Sequence, residues 1–144
     1  MNILIVEDEA LLALELESEL ETAGHTIVGQ AMSSAQAKKL ADQSRPEFAF
    51  VDIHLLDGPS GIDVGRHLAG LGIPYVFVTG NLKRIPEDFA GALGAIEKPY
   101  TMNGLQHALG FIERFVSGAK SDPIPPSLVP APRIKNETRV SCAG

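Results

Sequence analysis

Acidic side chains follow two apolar stretches of the chain, at the point where each stretch ends. Glu7 and Asp8 come directly after residues 3–6, and Asp52 closes residues 48–51. Stretches that are apolar throughout are typical of strands buried on both faces, as in a parallel sheet covered by helices. The carboxyl ends of such strands share one edge, where ligands bind. Three carboxylates there would repel one another without a cation, so the sequence predicts a divalent metal beside a reactive aspartate.

Two other functional groups end the later apolar stretches. Thr79 closes residues 75–78, and Lys98 follows a weaker strand pattern at 94–97. Carboxylate oxygens suit Mg²⁺, which is usually completed by water and a phosphate oxygen. A metal would let the Asp52 carboxylate attack a phosphoryl group, to which Thr79 donates a hydrogen bond and whose charge Lys98 neutralises. Each of these residue types is common at the end of a strand. Their occurrence together at successive strand ends predicts an aspartyl phosphate.

The elements that must position these groups alternate regularly between strand and helix patterns. Strands are predicted at residues 3–6, 26–28, 48–52, 75–79 and 94–97. Apolar residues at helical spacing predict helices at residues 9–23, 33–43, 60–71, 86–92 and from 101 onward. This alternation predicts an α/β fold with a doubly wound, five-stranded parallel sheet and five helices on its two faces.

Composition limits the possible partners and the compartment. The net charge of −6 comes with no basic patch, which argues against nucleic-acid binding. No apolar run approaches the roughly 18 residues that cross a bilayer. The first residues lead straight into a strand without the basic stretch of a signal peptide, and the single cysteine, Cys142, excludes an internal disulfide. We therefore expect a cytoplasmic protein that contacts neither nucleic acid nor membrane.

The composition and periodicity of the chain change near Gly118. Residues 121–144 contain five of the ten prolines and have no helical or strand period. We predict a folded domain over residues 1–117 and a proline-rich, largely disordered tail over residues 118–144. The tail's prolines could dock in an aromatic groove, although a solvated tail is the simpler interpretation.

Four stretches of this sequence resemble the receiver domains of response regulators in two-component signalling, the CheY-like family. They are residues 3–9, 51–55, 78–80 and 97–99. The resemblance implies the strand order 2-1-3-4-5. It also implies a sensor histidine kinase or a histidine phosphotransfer protein as phosphoryl donor, an unidentified downstream protein as target, and Mg²⁺ as cofactor.

The resemblance also implies a role for each residue of the site. Asp52 corresponds to the phospho-acceptor, and Thr79 and Lys98 to the groups that hold the phosphoryl group. Asp8 corresponds to the direct metal ligand, with Glu7 acting through water. The backbone carbonyl of His54 would complete the metal ligands together with Asp52. The bond before Pro99 is expected to be cis.

This chain departs from the family pattern at one informative position. Receivers usually carry an aromatic residue three positions before the lysine, whereas this chain has Ala95. The common coupling between the threonine and that aromatic residue therefore cannot operate here. Residues 75–81 partly resemble the FATGUY subclass, whose members are mostly stand-alone domains without the aromatic switch.

Three functions are compatible with these patterns. The leading interpretation is a single-domain response regulator that modifies only itself and signals by protein contact. The second is a phosphate sink or pseudo-receiver scaffold without conformational output, which Ala95 favours. The third is a Mg²⁺-dependent phosphatase, but His54 stands where such enzymes often place a second acid. A nucleotide-binding site is disfavoured because acids at residues 7–9 replace the glycines of a phosphate loop.

Overall fold

The computed structural model describes residues 1–119 and 122–135. They form one six-stranded sheet with the order β2-β1-β3-β4-β5-β6, in which β1 to β5 are parallel and β6 is antiparallel to β5. The strands are β1 (Asn2–Val6), β2 (Thr26–Ala31), β3 (Phe48–Asp52), β4 (Tyr75–Thr79), β5 (Gly94–Glu97) and β6 (Val129–Pro130). The predicted α/β class and the order of the first five strands are confirmed, and β6 is an addition.

Four α-helices cover the two faces of the sheet. Within the described residues they are α1 (Ala10–Thr22), α2 (Ser34–Ser44), α3 (Gly61–Gly70) and α4 (Met102–Val116), and residues 132–135 add one helical turn. The core on one face joins α1 and α4 to alternate strand residues such as Ile3 and Phe50, and the core on the other face joins α2 and α3 to residues such as Leu4 and Phe77. Central strands are therefore buried on both faces, as their continuous apolar sequences predict. None of the helices described here is long and apolar enough to cross a bilayer.

The segment between β4 and β5 differs from the prediction. We predicted a helix near residues 86–92, but the structure has two short 3-10 turns, Leu82–Arg84 and Phe89–Gly91. Pro86 cannot donate a backbone hydrogen bond, and all three residues of the second turn have positive φ. A left-handed backbone cannot continue a right-handed helix, so the apolar spacing in this segment does not produce one.

The predicted disordered tail is wrong for residues 122–135. These residues return to the sheet, where Leu128, Ala131 and Ile134 are buried. The Ala131 amide donates to the Leu93 carbonyl at 2.9 Å and fixes the segment beside β5. The part of the predicted tail at residues 136–144 lies outside the described residues.

Candidate functional site

The carboxylates singled out in the sequence meet at one edge of the sheet. Strands β1 and β3 are parallel neighbours, with Val6 opposite Val51, so the residues that follow them share that edge. One carboxylate oxygen from each of Glu7, Asp8 and Asp52 lies within 4.8 Å of the others. Glu7 and Asp52 are buried and Asp8 is half-buried, so the cluster has limited access to water.

Lys98 reaches this cluster from β5. Its Nζ donates to Glu7 Oε1 at 2.7 Å and to Asp52 Oδ2 at 2.9 Å. The Lys98–Pro99 peptide bond is cis, as expected. A single ammonium group therefore bridges the ends of β1 and β3 across the intervening strand β4.

The charges at this edge are only partly balanced. Burial raises the pKa of Glu7 to about 8, and the neighbouring Asp52 adds to the effect, while Lys98 opposes it. Burial alone would lower the pKa of Lys98, but its hydrogen bonds to Glu7 and Asp52 outweigh burial and raise it. Because one ammonium group faces three carboxyl groups, an additional cation would lower the electrostatic free energy of the site.

The donor set fits Mg²⁺. Glu7 Oε2 is buried and has no hydrogen-bond partner among the residues that the structure describes. A buried carboxylate oxygen without a partner is costly, and a metal ion or its bound water would satisfy it. Glu7, Asp8 and Asp52 could therefore hold the metal. His54 lies two residues beyond Asp52 and is exposed, and the role of its carbonyl as a ligand stays a prediction.

Thr79 lies at the same edge, and its hydroxyl bonds to the backbone of Asn81 in the loop that follows. Thr79 is one residue beyond Val78, the β4 residue opposite Asp52. Its Oγ1 accepts a hydrogen bond from the Asn81 amide at 3.1 Å, and its carbonyl accepts from the Lys98 amide at 2.8 Å. The hydroxyl thus accepts from its own loop, and its hydrogen could be donated to a group on Asp52.

The sequence patterns missed one residue that positions Asp52. Gly61 begins α3 directly against the end of β3, where a Cβ atom would lie 2.0 Å from the Asp52 carbonyl oxygen. The Gly61 amide donates to the Ile53 carbonyl at 2.9 Å. A glycine at the start of a predicted helix was the available signal, but only the packing shows that the end of β3 requires it.

The comparison with protein families assigns the family. The response regulator receiver domain family matches residues 3–110. This chain belongs to that family, as the motifs at its strand ends predicted.

Two relatives are similar in sequence. The chain is 42% identical over 80 residues to the phyllosphere-induced regulator PhyR of Methylorubrum extorquens, a match that covers 54% of this chain and 30% of that protein. It is 32% identical over 112 residues to the transcriptional regulatory protein PdtaR of Mycobacterium tuberculosis, covering 75% and 54% of the two chains. The chain thus spans about half or less of the length of these relatives.

The solved structures agree with the fold. The solution structure of the PhyR receiver domain of Erythrobacter litoralis superposes with a TM-score of 0.72 at 29% identity, and covers 79% of this chain and 90% of that one. A signal receiver domain of a diguanylate cyclase from Desulfovibrio desulfuricans has a TM-score of 0.70 at 27% identity, covering 81% and 95%.

Proposed function

We propose that this protein accepts a phosphoryl group on Asp52 in a Mg²⁺-dependent reaction and signals by contact with another protein. The observation that carries the proposal is the convergence of Lys98 Nζ on Asp52 and Glu7, at 2.9 and 2.7 Å. It gathers a nucleophile, metal-binding carboxylates and a cation at the end of a rigid parallel sheet.

The donor is a histidine kinase or a histidine phosphotransfer protein. An Asp52 carboxylate oxygen attacks phosphorus, the phosphorus–nitrogen bond of the phosphohistidine breaks, and the departing imidazole takes up a proton. When bound, Mg²⁺ neutralises the phosphoryl oxygens during this transfer. Lys98 moves from the carboxylate to the phosphoryl group as the negative charge shifts outward, and Thr79 turns from Asn81 to donate to the same group. The chain modifies only itself, so we do not propose an enzyme with a separate substrate.

The output is a protein–protein interaction in the cytoplasm. The relatives suggest one kind of target, because a related solved structure is that of the anti-anti-sigma factor PhyR of Bartonella quintana, with a TM-score of 0.64 and 30% identity, covering 82% of this chain and 51% of that one. An anti-sigma factor is therefore a candidate partner. The partial likeness of residues 75–81 to the FATGUY subclass supports a stand-alone role.

A phosphate sink is the second candidate function. Ala95 is fully buried between Phe77 of β4 and Val129 of β6, so no aromatic side chain is available at this position to report the state of Thr79. A sink would bind every partner equally in both phosphorylation states, because a ligand shifts only equilibria in which it discriminates. Unequal affinities would support signalling.

Phosphate incorporation from acetyl phosphate, followed by intact mass, tests the proposal. We expect one phosphoryl group per chain with Mg²⁺ and none with EDTA. Asp52→Ala should abolish the modification, while Asp63→Ala, which removes an exposed acid on α3, should leave it unchanged. Modification that persists in Asp52→Ala, or its absence from the wild type with Mg²⁺, would overturn the proposal.

A further inference from the structure

The outer edge of β5 is only half covered. Strand β5 has four residues, but β6 pairs with two of them, Gly94 opposite Pro130 and Ala95 opposite Val129. Within the described part of the chain, no strand pairs with Ile96 or Glu97 on that side. Exposed strand edges are templates for pairing with a further strand.

The segment that covers this edge, residues 122–135, pairs weakly through its backbone. Pro130 has no N–H to donate to the ladder. A turn, closed by the Leu128 amide on the Pro125 carbonyl at 3.1 Å, leads the chain away before it can pair with Ile96. The two-residue ladder is shorter than the edge that it occupies, so a longer strand would make more hydrogen bonds there.

Side-chain contacts hold the segment instead. Leu128, Ala131 and Ile134 are 3% exposed or less. Arg133 Nη2 donates to the Gly91 carbonyl at 2.8 Å, and Ser127 Oγ donates to the Gly104 carbonyl at 2.7 Å. The segment therefore bridges β5, the second 3-10 turn (Phe89–Gly91) and α4.

The edge is shaped for close approach of a backbone. A Cβ atom on Gly94 would lie 2.4 Å from the Val129 carbonyl oxygen, so the absence of a side chain at Gly94 lets β6 pack against β5. At the uncovered end, Glu97 presents an exposed carboxylate. Continuing the observed antiparallel register places the residue equivalent to Ser127 opposite Glu97, where a basic side chain would be favoured.

We propose that the β5 edge is a docking site for an extended segment of a partner protein, which adds an antiparallel strand along Gly94–Glu97 and displaces residues 122–135. The partner segment carries apolar side chains in place of Leu128 and Ile134 and a basic residue opposite Glu97. Strand addition of this kind draws affinity from the backbone and specificity from the side-chain positions.

The edge is joined to the phosphorylation site. Strand β5 leads directly into Lys98, whose Nζ bonds to Asp52. Arg133 bonds to Gly91 in the second 3-10 turn, which directly precedes β5. A change at Asp52 that moves Lys98 and the end of β5 therefore alters the covering segment, and displacement of the segment alters the site by the same coupling free energy. This link rests on the proposed function, whereas docking itself does not.

Binding of two synthetic peptides to the full chain tests the docking site. The first copies residues 122–135, and the second carries Pro126→Thr and Ser127→Lys. Ile134→Asp in the protein should release the covering segment and leave the edge intact. We expect both peptides to bind this variant about tenfold or more tightly than the wild type, because the tethered segment no longer competes. The second peptide should bind more tightly than the first, and Glu97→Lys should reverse that order.

The matched control blocks the edge itself. Gly94→Ala added to Ile134→Asp should abolish peptide binding, because the new Cβ occupies the space of the incoming backbone. Equal binding with and without Gly94→Ala, or no binding by an Ile134→Asp chain whose circular dichroism remains native, would overturn the proposal. A wild-type dimer that dissociates with Gly94→Ala would overturn it in favour of a second copy as the occupant.

The same experiment separates this inference from the proposed function. Peptide binding by the Ile134→Asp chain needs no phosphate, so we expect it to survive addition of Asp52→Ala. If the Ile134→Asp chain with Asp52 intact binds the peptides but takes up no phosphate with Mg²⁺, the proposed function is refuted and the docking site is supported. If the chain is phosphorylated on Asp52 but binds neither peptide, the proposed function is supported and the docking site is refuted.

Discussion

At the scale of single residues, Lys98 offsets the repulsion between the carboxylates of this receiver domain. Its ammonium group contacts Glu7 and Asp52, and its side chain is 19% exposed. Hydrogen bonds to charged groups contribute more than neutral ones, and removing one partner leaves the others buried and uncompensated. A bound metal ion could also offset the negative charge of these carboxylates. The stabilising effect of Lys98 therefore depends on Mg²⁺.

Lys98→Ala should therefore destabilise the protein most when Mg²⁺ is absent. We expect a loss of about 2 kcal/mol in the free energy of unfolding in EDTA, and a smaller loss in MgCl₂, because the cation replaces the missing charge. Urea unfolding in both buffers measures the difference. Lys83→Ala, which removes an exposed lysine, should have little effect in either. An equal loss in both buffers would contradict this role.

Asp57 joins two elements near the site. Its carboxylate accepts hydrogen bonds from the Ser34 amide at 3.1 Å and from the hydroxyls of Ser34 and Ser60. Hydrogen bonds from the Ser34 and Ser60 side chains, and then from the Ser34 amide, lower its pKa to about 2. The ionised carboxylate thus holds the start of α2 to the loop between β3 and α3.

The lowered pKa of Asp57 gives a pH dependence with a definite sign. Between about pH 4 and pH 2 the unfolded chain binds more protons at this carboxyl than the folded chain does, so stability falls as the pH falls. The stability difference between wild type and Asp57→Asn should be constant above about pH 5 and shrink towards pH 2. Urea midpoints across this range test it, with Asp63→Asn as the control. A difference that does not change with pH would contradict the prediction.

At the scale of elements, the start of α3 sets the position of the end of β3 at Asp52. Gly61 lets the helix backbone pack directly on Asp52, with no room for a side chain. The clash created by a Cβ atom would be with backbone, so no rotamer change can relieve it. The position of Asp52 therefore depends on the helix that follows it as well as on its own strand.

Gly61→Ala should destabilise the domain and slow phosphate incorporation. We expect a loss of about 3 kcal/mol in the free energy of unfolding, at the upper end of the usual cost of overpacking. Gly70→Ala lies in the same helix, and its Cβ would meet nothing within 4 Å, so it should be neutral or slightly stabilising. Thermal unfolding and the rate of modification by acetyl phosphate measure both effects. Similar behaviour of the two variants would show that the close approach is unimportant.

At the scale of the whole molecule, stability is expected to be uneven across the sheet. Central strands are buried on both faces, whereas β6 makes only a two-residue ladder at one edge. Regions with few backbone hydrogen bonds open locally at lower free energy than the core does. Residues 122–135 therefore belong to the folded unit but form its least stable edge.

Amide hydrogen exchange should reveal this difference. The Ala131 amide, bonded to the Leu93 carbonyl at 2.9 Å, should exchange about tenfold or more faster than the Ala49 amide, bonded to the Pro74 carbonyl at 3.2 Å. Residue-resolved exchange by NMR measures both in one sample. Equal protection of the two amides would mean that the edge opens only with global unfolding, and would make displacement of the segment costly.

The sequence by itself determined the class of fold and which carboxylates meet at one edge of the sheet. Continuous apolar runs must be strands buried on both faces, and acids that follow them must lie at their carboxyl ends, so Asp52 and its neighbours were predictable. The helix cap at Ser33, whose hydroxyl accepts from the Gln36 amide at 3.2 Å, was predictable from local chemistry alone. These features depend on residues close together in the chain.

Only the tertiary structure decided the remaining features, because they depend on contacts between distant residues. Lys98 bonds to Glu7 across 91 positions. Residues 89–91, between β4 and β5, follow a left-handed path, and the Ala90 carbonyl lies 2.6 Å from the Tyr75 hydroxyl, instead of the helix predicted near residues 86–92. Residues 122–135 lack any period, yet they are ordered because their scattered apolar side chains complete a core built by other elements. Burial of that kind has no local signature in the sequence.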